Sequence, residues 1–315
     1  MSSEQLKALV NAIPESFASP EADFRAVRAM FKAFHGHPIS DDLSLSITHY
    51  GTVRCGEYSL KGAQNGWTAF HCHGGAFVST PVDEYHFYAE LIAQRTGCDV
   101  IMPDYRLAPE NLFPAAHDDC YNAYRGMLEA GLDPARVIFM GESCGGSLAI
   151  GTLLRARDEG LPLPAAFISL TGWFDLSVSG EPVTGRDPFL TPEWVRNRGH
   201  DYLGPASAQQ DTFDTEQLKH PLLSPAYADL HGLPPLYLQV GERDTLREGQ
   251  LALARSAEKA GVTVALEHWP DCIHGWHGLA STEIPEAVAA WNAIRDYIEA
   301  MDSPLCPRKT SNNKA

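Results

Sequence analysis

Short apolar runs alternate with stretches of helical period along most of the chain, and that alternation predicts its elements. The runs Leu43 to Thr48, Thr52 to Leu60, Trp67 to Cys72, Cys98 to Met102, Val137 to Met140, Ala165 to Leu170, Leu236 to Val240 and Val262 to Glu267 read as strands. Helical patterns cover Glu84 to Arg95, Ala115 to Ala130, Ser147 to Glu159, Arg247 to Ala260 and Glu286 to Met301. Strands that alternate with helices argue for an α/β fold with a mostly parallel, doubly wound sheet of eight strands, whose sites form beyond the carboxyl ends of the strands.

Two stretches depart from the pattern. Residues 1–42 carry an amphipathic helix in which Phe24, Val27, Phe31 and Phe34 recur at near-helical spacing, with Pro20 and Glu21 at its start. That stripe needs something apolar to cover. Residues 174–222 hold turn signals at Gly180, Pro182, Gly185, Pro188 and Pro192, then a polar segment from Ser207 to Lys219, and read as an irregular or helical insertion. Residues 43–173 and 223–302 then make one core on either side of the insertion, and 303–315, without periodicity, is a frayed tail.

Composition narrows the function classes. At 315 residues, 44% hydrophobic and 20% charged, the chain is an ordinary globular protein with room for a large core. Acids outnumber bases 40 to 24, a net charge of -16, which argues against a nucleic-acid partner. The start, Met1 to Lys7, carries acid and polar groups where a signal peptide needs a basic end and an apolar segment, and no run approaches transmembrane length, so the expected location is cytoplasmic. Seven scattered cysteines without a CxxC pair read as reduced thiols. The 13 histidines include His35 with His37, His71 with His73, and His268, His274 and His277, yet none has metal-ligand spacing, so no metal and no cofactor is expected.

The chemistry centres on Gly141-Glu142-Ser143-Cys144-Gly145, which follows the fifth apolar run and precedes a helical one. A G-x-S-x-G pentapeptide in that setting is a nucleophile elbow, where strain at a strand-to-helix turn presents a serine hydroxyl and glycines fit the crowded flanks. Three other clusters also follow strand ends: His73-Gly74-Gly75-Ala76 after the third, Gly241 to Leu246 after the seventh, and Asp271 to Gly275 after the eighth. The first offers backbone N–H groups to an oxyanion. The other two supply an acid and then a histidine, and the order Ser, acid, His matches the α/β-hydrolase triad.

Together these segments resemble the hormone-sensitive-lipase-like α/β-hydrolases, the bacterial esterases with an HGGG-type loop. The resemblance spans about 67–300 and includes Pro103 to Glu110 and Pro221 to Leu233, with Ser224-Pro225 and Asp229-Leu230. Ala76 replaces the third glycine of the loop, and Cys144 replaces the usual alanine after the nucleophile; the stretch Thr52 to Gly66 matches poorly. The resemblance implies a helical cap made by the two aberrant stretches over the acyl site, and allows a homodimer.

In this reading Ser143 is the nucleophile, His274 its base and Asp244 the acid that orients the imidazole. Rivals are His277 and His268 for the base, Glu242 and Asp271 for the acid, and Cys144 for the nucleophile. Glu142 reads as a structural salt bridge or cap. The oxyanion hole comprises Gly74, Gly75, Ala76 and Cys144, with N–H groups donated by the last three and Gly74 giving the turn, while the two larger side chains narrow the acyl pocket. His73 braces the loop and His71 is a core histidine. Trp173, Phe174, Trp269 and Trp276 are candidate pocket walls. The expected reaction is hydrolysis of small or medium acyl esters, a small-molecule substrate. An amidase, lactonase or acyltransferase with the same triad, or a receptor-like binding protein on the same fold, are the alternatives.

Overall fold

The computed structural model describes residues 3–13, 19, 22–36, 38–62, 65–178, 187–204 and 215–302. Eight strands are present: β1 (Leu43–Tyr50), β2 (Val53–Leu60), β3 (Thr68–Cys72), β4 (Asp99–Pro103), β5 (Val137–Glu142), β6 (Ala166–Leu170), β7 (Leu236–Gly241) and β8 (Val264–Trp269). They form one sheet in the order β1-β2-β4-β3-β5-β6-β7-β8. β1 and β2 meet through a hairpin whose Tyr50↔Val53 register leaves Gly51, with φ 59°, in the turn, and β2 pairs antiparallel with β4. All other pairings are parallel.

The central strands are buried on both sides, which is why they read as continuous apolar runs. Along β5, Phe139 enters one core while Ile138 and Met140 enter the other; Phe70 and Ala69 of β3 divide in the same way. The first core is covered by α4 (Ala115–Glu129), α5 (Cys144–Asp158) and α7 (Arg247–Lys259). The second is covered by α3 (His86–Thr96) and α8 (Pro285–Met301). The doubly wound architecture therefore stands as the sequence pattern predicts.

The differences are local. β8 runs two residues later than expected because Val262 still donates to Ala257 O at the end of α7. α5 starts at Cys144 rather than Ser147, so the elbow feeds straight into a helix. A Cβ on Gly145 would lie 1.9 Å from Cys72 O, so the glycine pair marks close helix–strand contact rather than a longer turn.

Residues 1–42 contain two helices rather than one. α1 (Glu4–Ala12) is capped by Ser3, whose hydroxyl also donates to Glu286 Oε2 at 2.8 Å, and buries Leu6 and Val10. α2 (Phe24–His35) is capped by Asp23, which accepts from Arg25 and Ala26, and buries Val27. The insertion contributes α6 (Pro192–Leu203), capped by Thr191. Pro20, Glu21, the Phe34 side chain, Gly180, Pro182, Gly185, 207–214 and the 303–315 tail lie outside the described residues. No described helix is long and apolar enough to cross a membrane.

Candidate active site

β5 delivers Ser143 at φ 53° and ψ -125°, a strained conformation for a residue with a side chain. Such strain persists only where the surroundings over-determine it. Here the Ser143 carbonyl accepts N–H groups from Gly146 (3.0 Å) and Trp173 (2.7 Å), and its own N–H donates to Leu170 O (3.3 Å). Ser143 and His274 line one cavity of about 540 Å³.

His274 arrives on the loop after β8, which is tied from two sides: Gly275 N–H donates to Thr171 Oγ1 (3.1 Å), and Tyr88 donates to Gly275 O (3.3 Å). Its Nδ1 stands 3.1 Å from Asp244 Oδ1. Asp244 is fully buried and also accepts from Leu246 N–H (2.9 Å) on Oδ1 and Gln250 Nε2 (2.7 Å) on Oδ2. Burial works against a charged His274, but the charge and hydrogen bond of Asp244, then Asp187 and Glu142, outweigh it and raise the imidazole from 6.5 to about 9.

The loop after β3 closes the third side. Gly75 (φ 105°), Ala76 (φ 54°) and Phe77 (φ 64°) all have positive φ, which turns the loop tightly enough for the Phe77 N–H to reach the Cys144 sulfur. His73 braces this loop as expected: its Nδ1 lies 2.8 Å from Gly74 O and 3.0 Å from Thr80 Oγ1, and it stacks on Tyr105 at 4.1 Å. Burial lowers it to about 4, so it is neutral at pH 7.

Gly74, expected to give the loop its turn, also serves Glu142. The carboxylate accepts the Gly74 N–H and the Tyr85 hydroxyl (2.9 Å), and a Cβ on Gly74 would fall 2.0 Å from Glu142 Oε2. The Gly74 amide is therefore spent on Glu142, and its missing side chain makes room for that carboxylate. Burial pushes the Glu142 carboxyl above its usual range, against the pull of His274, Tyr85 and the Gly74 amide.

Cys144 also differs from its expected place. Its sulfur does not narrow the cavity; it lies beneath Ala76 and Phe77, accepting the Phe77 N–H at 3.2 Å, and is fully buried. Burial pushes the thiol up to about 12. Ala76 does reach the cavity wall.

Trp173, Phe174 and Trp276 are core residues, and none of them lines the cavity. Trp173 packs on Phe77 at 5.6 Å and Trp276 on His277 at 4.0 Å. The walls come instead from α1 (Leu9, Ala12), α2 (Met30, Phe31), α3 (Phe87, Tyr88) and the insertion (Phe189, Leu190, Trp194). The sequence signal for this lay in residues 1–42, in the apolar stripe without a partner that includes Phe31; the insertion showed only turn signals and a polar segment.

The rivals fall elsewhere. Glu242 pairs with Arg247 (2.8 Å) and with half-exposed His268 (2.5 Å). His277 is buried against Gln239 (2.8 Å), and burial, then the charge of His274, lowers it to about 3. Asp271 occupies the turn before His274 with φ 61°. His71 is wholly buried. Sequence reasoning missed Asp187 and Thr171, which come from segments far from the motifs they support.

A strained hydroxyl, an imidazole paired to a buried carboxylate, and a tightly turned glycine-bearing loop beside one apolar cavity can perform acyl transfer. A family model for the alpha/beta hydrolase fold matches residues 69–278. An acetyl-hydrolase of Streptomyces hygroscopicus is 36% identical over 224 residues, 70% of this chain and 72% of the relative. Carboxylesterase NlhH of Mycobacterium tuberculosis is 32% identical over 225 residues, 69% of this chain and 68% of the relative. Among solved structures, an esterase from the bacterial hormone-sensitive lipase family is similar with TM-score 0.84 and 34% identity, covering 96% of this chain and 100% of that one. EstE5 soaked with p-nitrophenyl butyrate reaches 0.84 at 28% identity, covering 95% and 99%.

Proposed function

The chain belongs to the hormone-sensitive-lipase-like branch of the α/β-hydrolases and is a carboxylesterase-type hydrolase; from there we propose that it cleaves small to medium acyl esters through an acyl-enzyme on Ser143. The observation that carries the reading is the 3.1 Å pairing of His274 with buried Asp244 beside the strained Ser143. In the proposed sequence His274 takes the Ser143 proton as Oγ attacks the ester carbon. The oxyanion is held by the N–H groups of Gly75, Ala76 and Cys144, each worth roughly 10²- to 10³-fold in turnover. His274 then protonates the leaving alcohol, and water activated by the same imidazole releases the acid. Residues 1–42 and 174–222 are the cap in this proposal, over a core of 43–173 and 223–302. The six described cysteines are free and buried, which supports a reducing, cytoplasmic compartment.

The cavity decides the expected substrate size. Its apolar walls reward each buried methylene by about 0.8 kcal/mol only while the chain still fits. Across p-nitrophenyl esters from acetyl to palmitoyl, kcat/KM is expected to peak at short or medium acyl length and fall by roughly tenfold or more at palmitoyl. A profile still rising at palmitoyl would sink the size assignment. Loss of a serine-directed phosphonate label from the Ser143 peptide would sink the mechanism.

The pH dependence has a definite sign. Only neutral His274 accepts the Ser143 proton, so kcat/KM is expected to climb with pH along a limb displaced above 6.5 toward about 9. Stability runs the other way. The raised imidazole contributes its ion pair fully below about 6.5 and loses it as pH rises through about 9. Rates corrected for spontaneous hydrolysis between about pH 5 and 9.5 read the limb, and a flat profile would rule out His274 as base.

A further inference from the structure

Asp187 is a buried carboxylate that belongs to no part of the triad, yet it stands beside it. Its Oδ1 accepts the N–H groups of Phe189 (3.0 Å) and Leu190 (3.4 Å), both cavity-wall residues of the insertion. Its Oδ2 accepts the N–H of Thr245 (3.0 Å), the residue after Asp244. Thr245 returns a second tie, donating from Oγ1 to Leu190 O at 2.9 Å. The chain then passes from Leu190 to Thr191, which caps α6 and so sets Trp194 against the same cavity.

We propose that Asp187 is a positioning residue shared by pocket wall and triad, holding Phe189 and Leu190 in register with the loop that carries Asp244. The assignment rests on the Ser143 reading above and adds to it a link between acyl selectivity and the ionisation of the base. The titratable groups facing Asp187 are Asp244 on the acid loop and His274 on the loop after β8; His274 in turn meets Glu142 at the elbow. Burial, reinforced by the charge of Asp244, lifts Asp187 to about 6, so above that pH it adds a negative charge in range of His274. The burial of this carboxylate behind the wall also explains why three backbone amides converge on one side chain, since a buried carboxylate must be hydrogen-bonded.

Asp187→Asn separates the two halves of the role. The amide oxygen stays with the two N–H groups of Phe189 and Leu190, which leaves the amide NH₂ facing the Thr245 N–H, donor against donor. Loss of charge is expected to move the ascending limb of Ser143 phosphonate labelling down by roughly 0.5 to 1 pH unit. Loosening of the wall is expected to change the octanoyl-to-acetyl ratio of kcat/KM by roughly threefold or more. Thr245→Val keeps the charge and removes only the bond to Leu190 O, so it should shift the ratio and leave the limb in place. A limb and ratio both unchanged in Asp187→Asn overturn the proposal, and so does a change in one alone, because a shared carboxylate must move both. If Asp187→Asn does not fold, an unchanged ratio in Thr245→Val overturns it. A wild-type protein that takes no label on Ser143 instead fails the triad reading, and the role of Asp187 falls with it.

Discussion

Ser143→Ala is expected to lower kcat/KM on an activated ester by on the order of 10⁴- to 10⁶-fold, while Cys144→Ala stays within roughly tenfold of the parent. The two side chains are neighbours in sequence and opposites in environment. Ser143 sits at the crest of the elbow with φ 53° and opens on the cavity, whereas the Cys144 sulfur faces the underside of the oxyanion loop and accepts the Phe77 N–H at 3.2 Å. A thiol pushed up to about 12 holds a negligible thiolate fraction at neutral pH, so it cannot replace the missing hydroxyl. Cys144→Ala still has a cost of another kind. It strands a buried N–H next to Ala76, worth about 1–3 kcal/mol of stability, and a lower Tm with a modest fall in kcat is the expected signature. Intact-mass labelling with a phosphonate, run beside turnover, checks both variants; activity surviving in Ser143→Ala and vanishing in Cys144→Ala would reverse the assignment.

The sheet and the chain order of Ser143, Asp244 and His274 were legible because they depend on local pattern. Buried parallel strands write themselves as apolar runs, and each catalytic candidate follows the end of one. Side-chain direction is not written in that way. Trp173, Phe174 and Trp276 adjoin the site along the chain, yet their rings turn into the core, and the cavity is walled by Leu9, Phe31, Phe189 and Trp194 from distant segments. Cys144 shows the same limit within one residue, since its helix start aims sulfur under the loop. α1 was hidden because its stripe is short, and its docking depends on Ser3 meeting Glu286 at the far end of the sequence. Gly74 looked like a turn residue; only the position of the Glu142 carboxylate reveals that the glycine makes room for it.

Asp244→Asn is expected to cost roughly 10²- to 10³-fold in kcat, less than the ~10⁴-fold of a triad whose imidazole is forced into the wrong tautomer. The difference follows from what surrounds the carboxylate. Oδ1 receives both His274 and the Leu246 N–H, and a backbone donor cannot invert, so the asparagine oxygen must stay there. The new NH₂ then takes the place of Oδ2 and meets Gln250, whose Nε2 donates at 2.7 Å and whose Oε1 has no hydrogen-bond partner. A half-turn of the Gln250 amide presents that oxygen to the NH₂ and satisfies the new donor, while Gln250 Nε2 moves to the side where Oε1 had no partner. His274 keeps its Nδ1 hydrogen bond and the tautomer that leaves Nε2 free to accept from Ser143. What it loses is the charge that most opposes the effect of burial, so the surviving activity should titrate at lower pH than in the parent. Adding Gln250→Leu to Asp244→Asn removes the rescuing oxygen and should deepen the loss by a further ~10-fold. Measured kcat and its pH limb in the single and double variants check the argument. A single variant with parental rate and limb would move the acid elsewhere, with Asp187 the next carboxylate to test.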